Sequence, residues 1–423
     1  MTTSWTRRSL QDWRTSFRGE GLDVAIWISV TASLGMLIFS IAIAQAAVLI
    51  AGLLWTYALL RGKRCPHWRS PLLLPYSLFV LARMAAIPLS VDPSVSLDAF
   101  RTEIFFYVLF YVLLCTFDAR REDRMRMLLL LLFVAGIVAT AIGFVKYAQG
   151  MDERLTSTTA GYYTLGLFLA VLFAMGFSLG DRRDVFPGRG VWLVVCGILL
   201  LGLLFTFNRM HWVVAAVAAL AVGLLRERRI LLVLAVIGVL AVIAVEPLQQ
   251  RFLQLLSAGE HMSGRDVIWR GAFMLIGERP LTGFGLRTFH QVFPLFDEAP
   301  DKGIGSWHND YLQVYMDSGL MALLPFVAIL VAAAYMGWRN HRAWPSGSLQ
   351  RSVNTAVMLG LGCFALAGGM LDSLLSILFR TLLALTAVLY AARPQPERPM
   401  AAVGEAGKGA DGEKNRLRPG TMK

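Results

Sequence analysis

From Val24 to Ala392 the chain consists of long apolar stretches separated by short polar breaks. A helix needs roughly 17 to 25 apolar residues to cross a hydrocarbon core about 30 Å thick, and the stretches meet that length repeatedly. Only helices and closed barrels satisfy their own backbone in lipid. Runs such as LLVLAVIGVLAVIAV, residues 231–245, are apolar at every position, whereas a lipid-facing strand alternates, so a barrel is excluded. Composition agrees, with 56% hydrophobic and 16% charged residues, where a soluble domain carries about a quarter charged. The expected fold is an all-α polytopic membrane protein with about a dozen transmembrane helices.

The formal charge of +12 could suggest nucleic acid, but its placement argues otherwise. Basic residues gather in RGKRCPHWR, DARREDRMR, DRRDVFPGR, RERR and RNHRAWPSGSLQR, alternating with loops that carry almost none. Putting the N-terminus in the cytoplasm places every one of these clusters on the cytoplasmic side. The apolar run from Val24 to Leu60 is too long for one crossing, and Gln45 near its middle suggests a hairpin of two spans. The chain then divides into a basic cytoplasmic tail (1–23), nine transmembrane helices (24–245), one large periplasmic loop (246–318), three more helices (319–392) and a disordered cytoplasmic tail (393–423). The basic N-terminal segment reads as a retained anchor, because the apolar stretch after it lacks an evident small-residue cleavage site. Cys115, Cys196 and Cys363 lie in apolar stretches and Cys65 in a basic loop, so no disulfide is expected.

The long loop is where a site belongs, since loops of more than about 15 residues in compact folds are usually functional. Its FLQLL, VIWRGAFMLIG and YLQVYM segments have apolar residues at helical spacing, as short amphipathic helices do. Arg209 stands at the outer end of a span, where a basic residue is an exception to the inside rule. An arginine that only ends a helix and snorkels to the interface is the plain alternative. Arg265 falls in the first turn of a helix expected to start near Ser263, where backbone N–H groups also favour anions. Trp269, four residues on, shares its face and could anchor it at lipid headgroups. A surface arginine without a ligand is the alternative there, and the glycines of LTGFGL read as a turn. Ser306 can cap a helix beginning at Trp307, with His308 in its first turn and Tyr311, Leu312 and Tyr315 beside it. The positive end of that helix would keep His308 neutral and able to accept a proton, although a lone histidine is commonly structural. Asp297 and Glu298 read as a solvated acidic stretch. Neither clustered His/Cys ligands nor an Asp-x-Asp pair marks an outer loop, so no metal and no other cofactor is expected.

Taken together these residues resemble the O-antigen ligase/polymerase superfamily. His308, Asn309, Tyr311, Leu312, Gln313, Gly319 and Leu320 follow its H-N-x-Y-L-Q-x-x-x-x-x-G-L pattern, preceded by Ser263, Gly264, Arg265 and Trp269 and by the P-L-x-G-x-G of Pro280 to Gly285. The superfamily's arginine after a span, usually in an S-R context, stands here as Asn208-Arg209. The resemblance implies transfer of O-antigen polysaccharide from undecaprenyl diphosphate to lipid A-core on the periplasmic face of a bacterial inner membrane, without metal and with inversion. In that scheme His308 is the base, Arg265 and Arg209 bind the diphosphate, and Asn309, Tyr311, Gln313 and Trp269 support them. A polymerase using the same donor is the nearest competitor. Arg83, Lys146 and Arg380, charged residues in or near spans, keep a glycolipid transporter as a third reading.

Overall fold

The computed structural model describes residues 2–63, 65, 67–180, 182–225, 236, 239, 243–244, 246–256, 264–299, 304–368 and 376–394. The described residues are helical, with no strand among them. Four helices are long and apolar enough to cross a membrane: α3 (Ile41–Leu60), α5 (Pro93–Thr116), α6 (Glu122–Ala148) and α13 (Asp310–Ala343). Shorter apolar helices stand among them: α2 (Gly21–Met36), α4 (Leu73–Ala86), α7 (Tyr162–Ser178), α8 (Arg189–Phe205), α9 (Arg209–Leu225) and α15 (Ser376–Ala392). α14 (Leu349–Ala367) packs between α7 and α15.

Pattern explains which helices sit inside. α7 is buried along its whole length from Thr164 to Ser178, and α15 from Ser376 to Leu389. α7 is apolar all round and α15 nearly so, Arg380 apart, as central helices must be. α6 and α13 instead show apolar stripes outward, Leu130, Val134 and Val138 on one, Leu324, Val327, Val331 and Tyr335 on the other. Such exposed helical stripes are what a lipid solvent accepts and water does not.

The basic loops share one end of the bundle. Lys63 pairs with Asp23 at 3.0 Å, Arg126 with Asp12 at 2.9 Å and with Asp184 at 3.7 Å. Arg121 donates to the Thr15 carbonyl at 2.8 Å, and Arg182 to the Gly347 carbonyl. The N-terminal tail is itself a helix, α1 (Thr2–Ser16), docked on the start of α6. RERR, most of residues 230–245 and the tail from residue 395 lie outside the described residues.

Two boundaries and one covalent link differ from expectation. The hairpin turns at Leu37–Ser40, with Gln45 inside α3. α5 starts at Pro93, well before the continuous apolar stretch from Ile104, because Asp92 caps it through the Ser94 and Val95 amides and proline suits its first position. The Ser94 hydroxyl and those amides hold the Asp92 carboxyl below the usual carboxylate range. Cys65 and Cys115 form a disulfide, where none was expected. Cys115 lies in the last turn of α5, level with the loop after α3, and packing of α3 on α5 brings the two Cα atoms to 4.4 Å. Cys196 and Cys363 are buried free thiols.

Candidate active site

The opposite end of the bundle is organised around a break in α13. At Gly319 the backbone takes φ 61°, ψ −162°, which leaves nearby amides and carbonyls without helical partners. The Pro280–Gly285 segment takes them up. Phe284 N–H donates to Met316 O at 2.7 Å and Gly285 N–H to Asp317 O at 3.0 Å, while Leu320 N–H donates to Pro280 O at 2.8 Å. The two backbones meet closely enough that a Cβ on Gly319 would lie 2.2 Å from the Leu281 carbonyl carbon, and one on Gly283 2.5 Å from Ser318 N. The glycines expected to mark a turn therefore also allow a clamp. Val91 N–H donates to Phe284 O at 2.8 Å and Arg279 to Leu89 O at 3.1 Å, tying the clamp to the turn between α4 and α5.

His308 stands just outside α13. The helix is capped by Asn309, which accepts from Tyr311 N–H at 3.0 Å and Leu312 N–H at 3.2 Å. This corrects the expected start at Trp307. Gln313 Oε1 already accepts the Trp307 N–H at 3.1 Å, and Trp307 is 1% exposed, with its ring 4.7 Å from Phe289 and 5.9 Å from Phe293. His308 is exposed at φ 50°, a left-handed conformation that costs a non-glycine residue about 1–3 kcal/mol. Phe207, Arg287 and His308 are the non-glycine residues with such a φ among those described, and all lie at this end. Tyr311 donates to the Ala365 carbonyl at 3.1 Å, fixing the start of α13 against the end of α14.

Arg265 opens α11 (Arg265–Leu275) behind Gly264, as expected; Ser263 lies outside the described residues. The buried face of α11, Ile268, Ala272 and Leu275, joins Trp307, Phe289, Phe293 and Met316 in one apolar cluster. The helix that carries Arg265 and the loop that carries His308 thus share a core. Trp269 packs against that cluster with its indole N–H buried, rather than standing clear of it. Arg270 pairs with Glu298, so the acidic stretch is partnered at that residue, though exposure on both sides makes the pair worth little.

Arg209 opens α9, half-buried, with Asn208 accepting the His211 N–H at 3.4 Å. His211 is fully buried beside the Tyr163 ring at 4.7 Å, against Gly166, where a Cβ would lie 2.6 Å from its Nδ1. Arg265 is close enough for its charge to act on that imidazole. Arg209 and Arg265 each head a helix, where first-turn N–H groups and the helix dipole favour anions. Residues 194–327, about a third of the chain, match the family model described as O-antigen ligase. Over those residues the chain is similar to O-antigen ligases. Among curated proteins no significant match is found. The matched region spans Arg209, Arg265, Trp269, His308, Asn309, Tyr311 and Gln313, and its family marks a membrane enzyme of ligase or polymerase type.

Beneath the O-antigen ligase motif lies a buried ionic network that sequence reading did not assemble. Arg83 on α4, 1% exposed, donates through Nε and Nη2 to Glu103 on α5 at 3.0 and 2.7 Å, and through Nη1 to Asp317 on α13 at 3.3 Å. The Tyr107 hydroxyl also donates to Glu103. Arg380 on α15, 2% exposed, lies 5.4 Å from the Tyr107 ring and 5.5 Å from that of Tyr76. Arg83 thus faces two carboxylates, with Arg380 over the neighbouring rings, and pairing of this kind is the condition for holding charge in a medium of low dielectric constant. Arg83 and Arg380 were visible as span charges; their partners were not, since Asp317 is 234 residues from Arg83. His211 is not among the site residues expected from the sequence, and its position two residues after Arg209 on the same first turn was the available signal.

Proposed function

We propose that the chain is an O-antigen ligase of the bacterial inner membrane, transferring glycan from undecaprenyl diphosphate to lipid A-core. The basic end faces the cytoplasm by the positive-inside rule, which puts the clamp, His308 and both helix-heading arginines on the periplasmic face. The observation that carries the reading is the match of residues 194–327 to the O-antigen ligase model, within which Arg265 opens a helix that shares an apolar core with Trp307, the residue before His308.

The chemistry follows from the charges involved. Transfer leaves a diphosphate behind, and arginine pairs phosphate oxygens bidentately without losing its proton. Arg265, with Arg209, stabilises the departing diphosphate in the role a divalent cation plays in other glycosyltransferases. His308 takes the proton from the acceptor hydroxyl as that oxygen bonds to the anomeric carbon and the bond to the diphosphate breaks. Attack opposite the leaving group inverts the anomeric centre. Asn309, Tyr311 and Gln313 hold the His308 turn, and Trp269 holds the Arg265 helix.

Arg265→Lys keeps the charge and loses the fork. With hydrogen bonds to charged groups worth about 1.5–3 kcal/mol, transfer should fall roughly 10- to 100-fold, and chelators should leave wild-type activity unchanged. Wild-type rates in the lysine variant would remove the clamp. The class of activity is tested with purified protein, labelled lipid-diphosphate glycan and lipid A-core in vesicles. Glycan on the core is the expected product; glycan lengthened on its carrier would make the chain a polymerase, and glycolipid moved across the bilayer unchanged would make it a transporter.

A further inference from the structure

Asp317 and Gln313 lie one turn apart on α13, on the face turned toward Arg83. Asp317 is 3% exposed, and each of its carboxylate oxygens has a protein donor: Oδ2 accepts from Arg83 at 3.3 Å and Oδ1 from Gln313 Nε2 at 2.7 Å. The Gln313 amide is used at both ends, since its Oε1 accepts the Trp307 N–H at 3.1 Å. That amide therefore cannot turn over without losing two bonds. Arg83 is fixed in turn by its two bonds to Glu103. A continuous chain of hydrogen bonds runs from the bundle interior to the backbone N–H of Trp307, the residue before His308. On the other side of His308, Asn309 is fixed by its cap bonds. The strained φ of His308 is thus held between two anchored neighbours.

We propose that Asp317 is a positioning residue: fixed by Arg83, it orients the Gln313 amide, which holds Trp307 and thereby aims the His308 imidazole. The proposal rests on the reading that His308 acts on the acceptor hydroxyl. Its physical basis is that a misplacement of about 1 Å between reacting groups can lower a rate about 10²-fold, so a group that fixes the angle of a base affects turnover without touching substrate. Nothing in the arrangement requires Asp317 to meet either glycan.

The test exchanges the two side chains' chemistry. Gln313→Glu sets two carboxylates against each other, and Asp317→Asn removes the ionic partner of Arg83 and leaves an amide facing an amide. The double variant Gln313→Glu/Asp317→Asn restores one donor and one acceptor in every link, with the total charge unchanged. Each single variant is expected to lose about tenfold or more in kcat, with donor KM within about twofold of wild type, and the double variant is expected to recover most of the loss. kcat is expressed per folded protein, using the melting transition of each variant. If the losses follow the folded fraction and vanish on that basis, or if the double variant is as slow as the singles, the positioning role is overturned. Where a single variant fails to accumulate, the double variant decides alone: near wild-type kcat supports the relay, and a tenfold loss refutes it. His308→Ala is assayed alongside. An inactive His308→Ala beside fully active relay variants defeats only the positioning role, whereas an active His308→Ala defeats the reading beneath it.

Discussion

Purified His308→Ala protein should remain folded and membrane-inserted while transferring glycan to lipid A-core about 10²- to 10⁴-fold more slowly than wild type, the range expected for losing a general base. The folding half of this expectation comes from the environment of the residue. His308 is exposed, and the buried Trp307 ring and the Asn309 cap hold the turn around it. Its left-handed φ is strained for alanine as for histidine, so truncation adds no new backbone penalty. Donor binding should be unchanged, because the diphosphate is assigned to Arg265 and Arg209. Turnover at the wild-type rate would remove His308 from the reaction; an unfolded variant would mean that the turn depends on contacts of the imidazole.

The largest effect on the fold is expected at Gly319. Its φ 61°, ψ −162° falls in a region that only glycine occupies readily, and a Cβ there would lie 2.2 Å from both the carbonyl carbon and the carbonyl oxygen of Leu281. Backbone cannot step aside as a side-chain tip can. Strain of roughly 1–3 kcal/mol and overpacking of roughly 1–3 kcal/mol together make Gly319→Ala severely destabilising. The expected readout is a large fall in melting temperature with loss of the Pro280–Gly285 clamp, seen as faster amide exchange at Phe284, Gly285 and Leu320. A variant that melts like wild type, with those amides protected, would show that the segment can separate from α13 at little cost. Gly62, whose φ is 81° but whose added Cβ would meet nothing within 4 Å, provides the control: Gly62→Ala should lose only the conformational part.

Much of this was legible in the residues. Continuous apolar stretches gave helices, and the basic loops that can be described do collect at one end, as charge segregation requires. Arg265 does open a helix, because glycine followed by Arg-Asp before an apolar period is a start signal. The start of α13 was misread because serine and asparagine are comparable caps, and the choice was made by tertiary contacts: Gln313 takes the Trp307 amide, leaving Asn309 to cap. Asp92-Pro93 was a local signal for the start of α5 that a search for apolar length alone overlooked. The disulfide and the Arg83–Asp317 pair were not readable, since each depends on how helices distant in sequence pack. Fixed interior charges bear on the transporter reading as well. Arg83 is held by two carboxylates and Asp317 by two donors, the arrangement of a brace rather than of a site that exchanges ligands.

One measurement bears most directly on the whole account: an experimental structure of the protein with undecaprenyl diphosphate bound. The diphosphate is expected at the loop end of the bundle, its oxygens within about 3 Å of the Arg265 guanidinium and beside the first turn of α9, with the His308 imidazole facing the position the sugar would occupy. A diphosphate seated at the basic end, or one bound at the loop end with Arg265 and His308 both turned away, would contradict it.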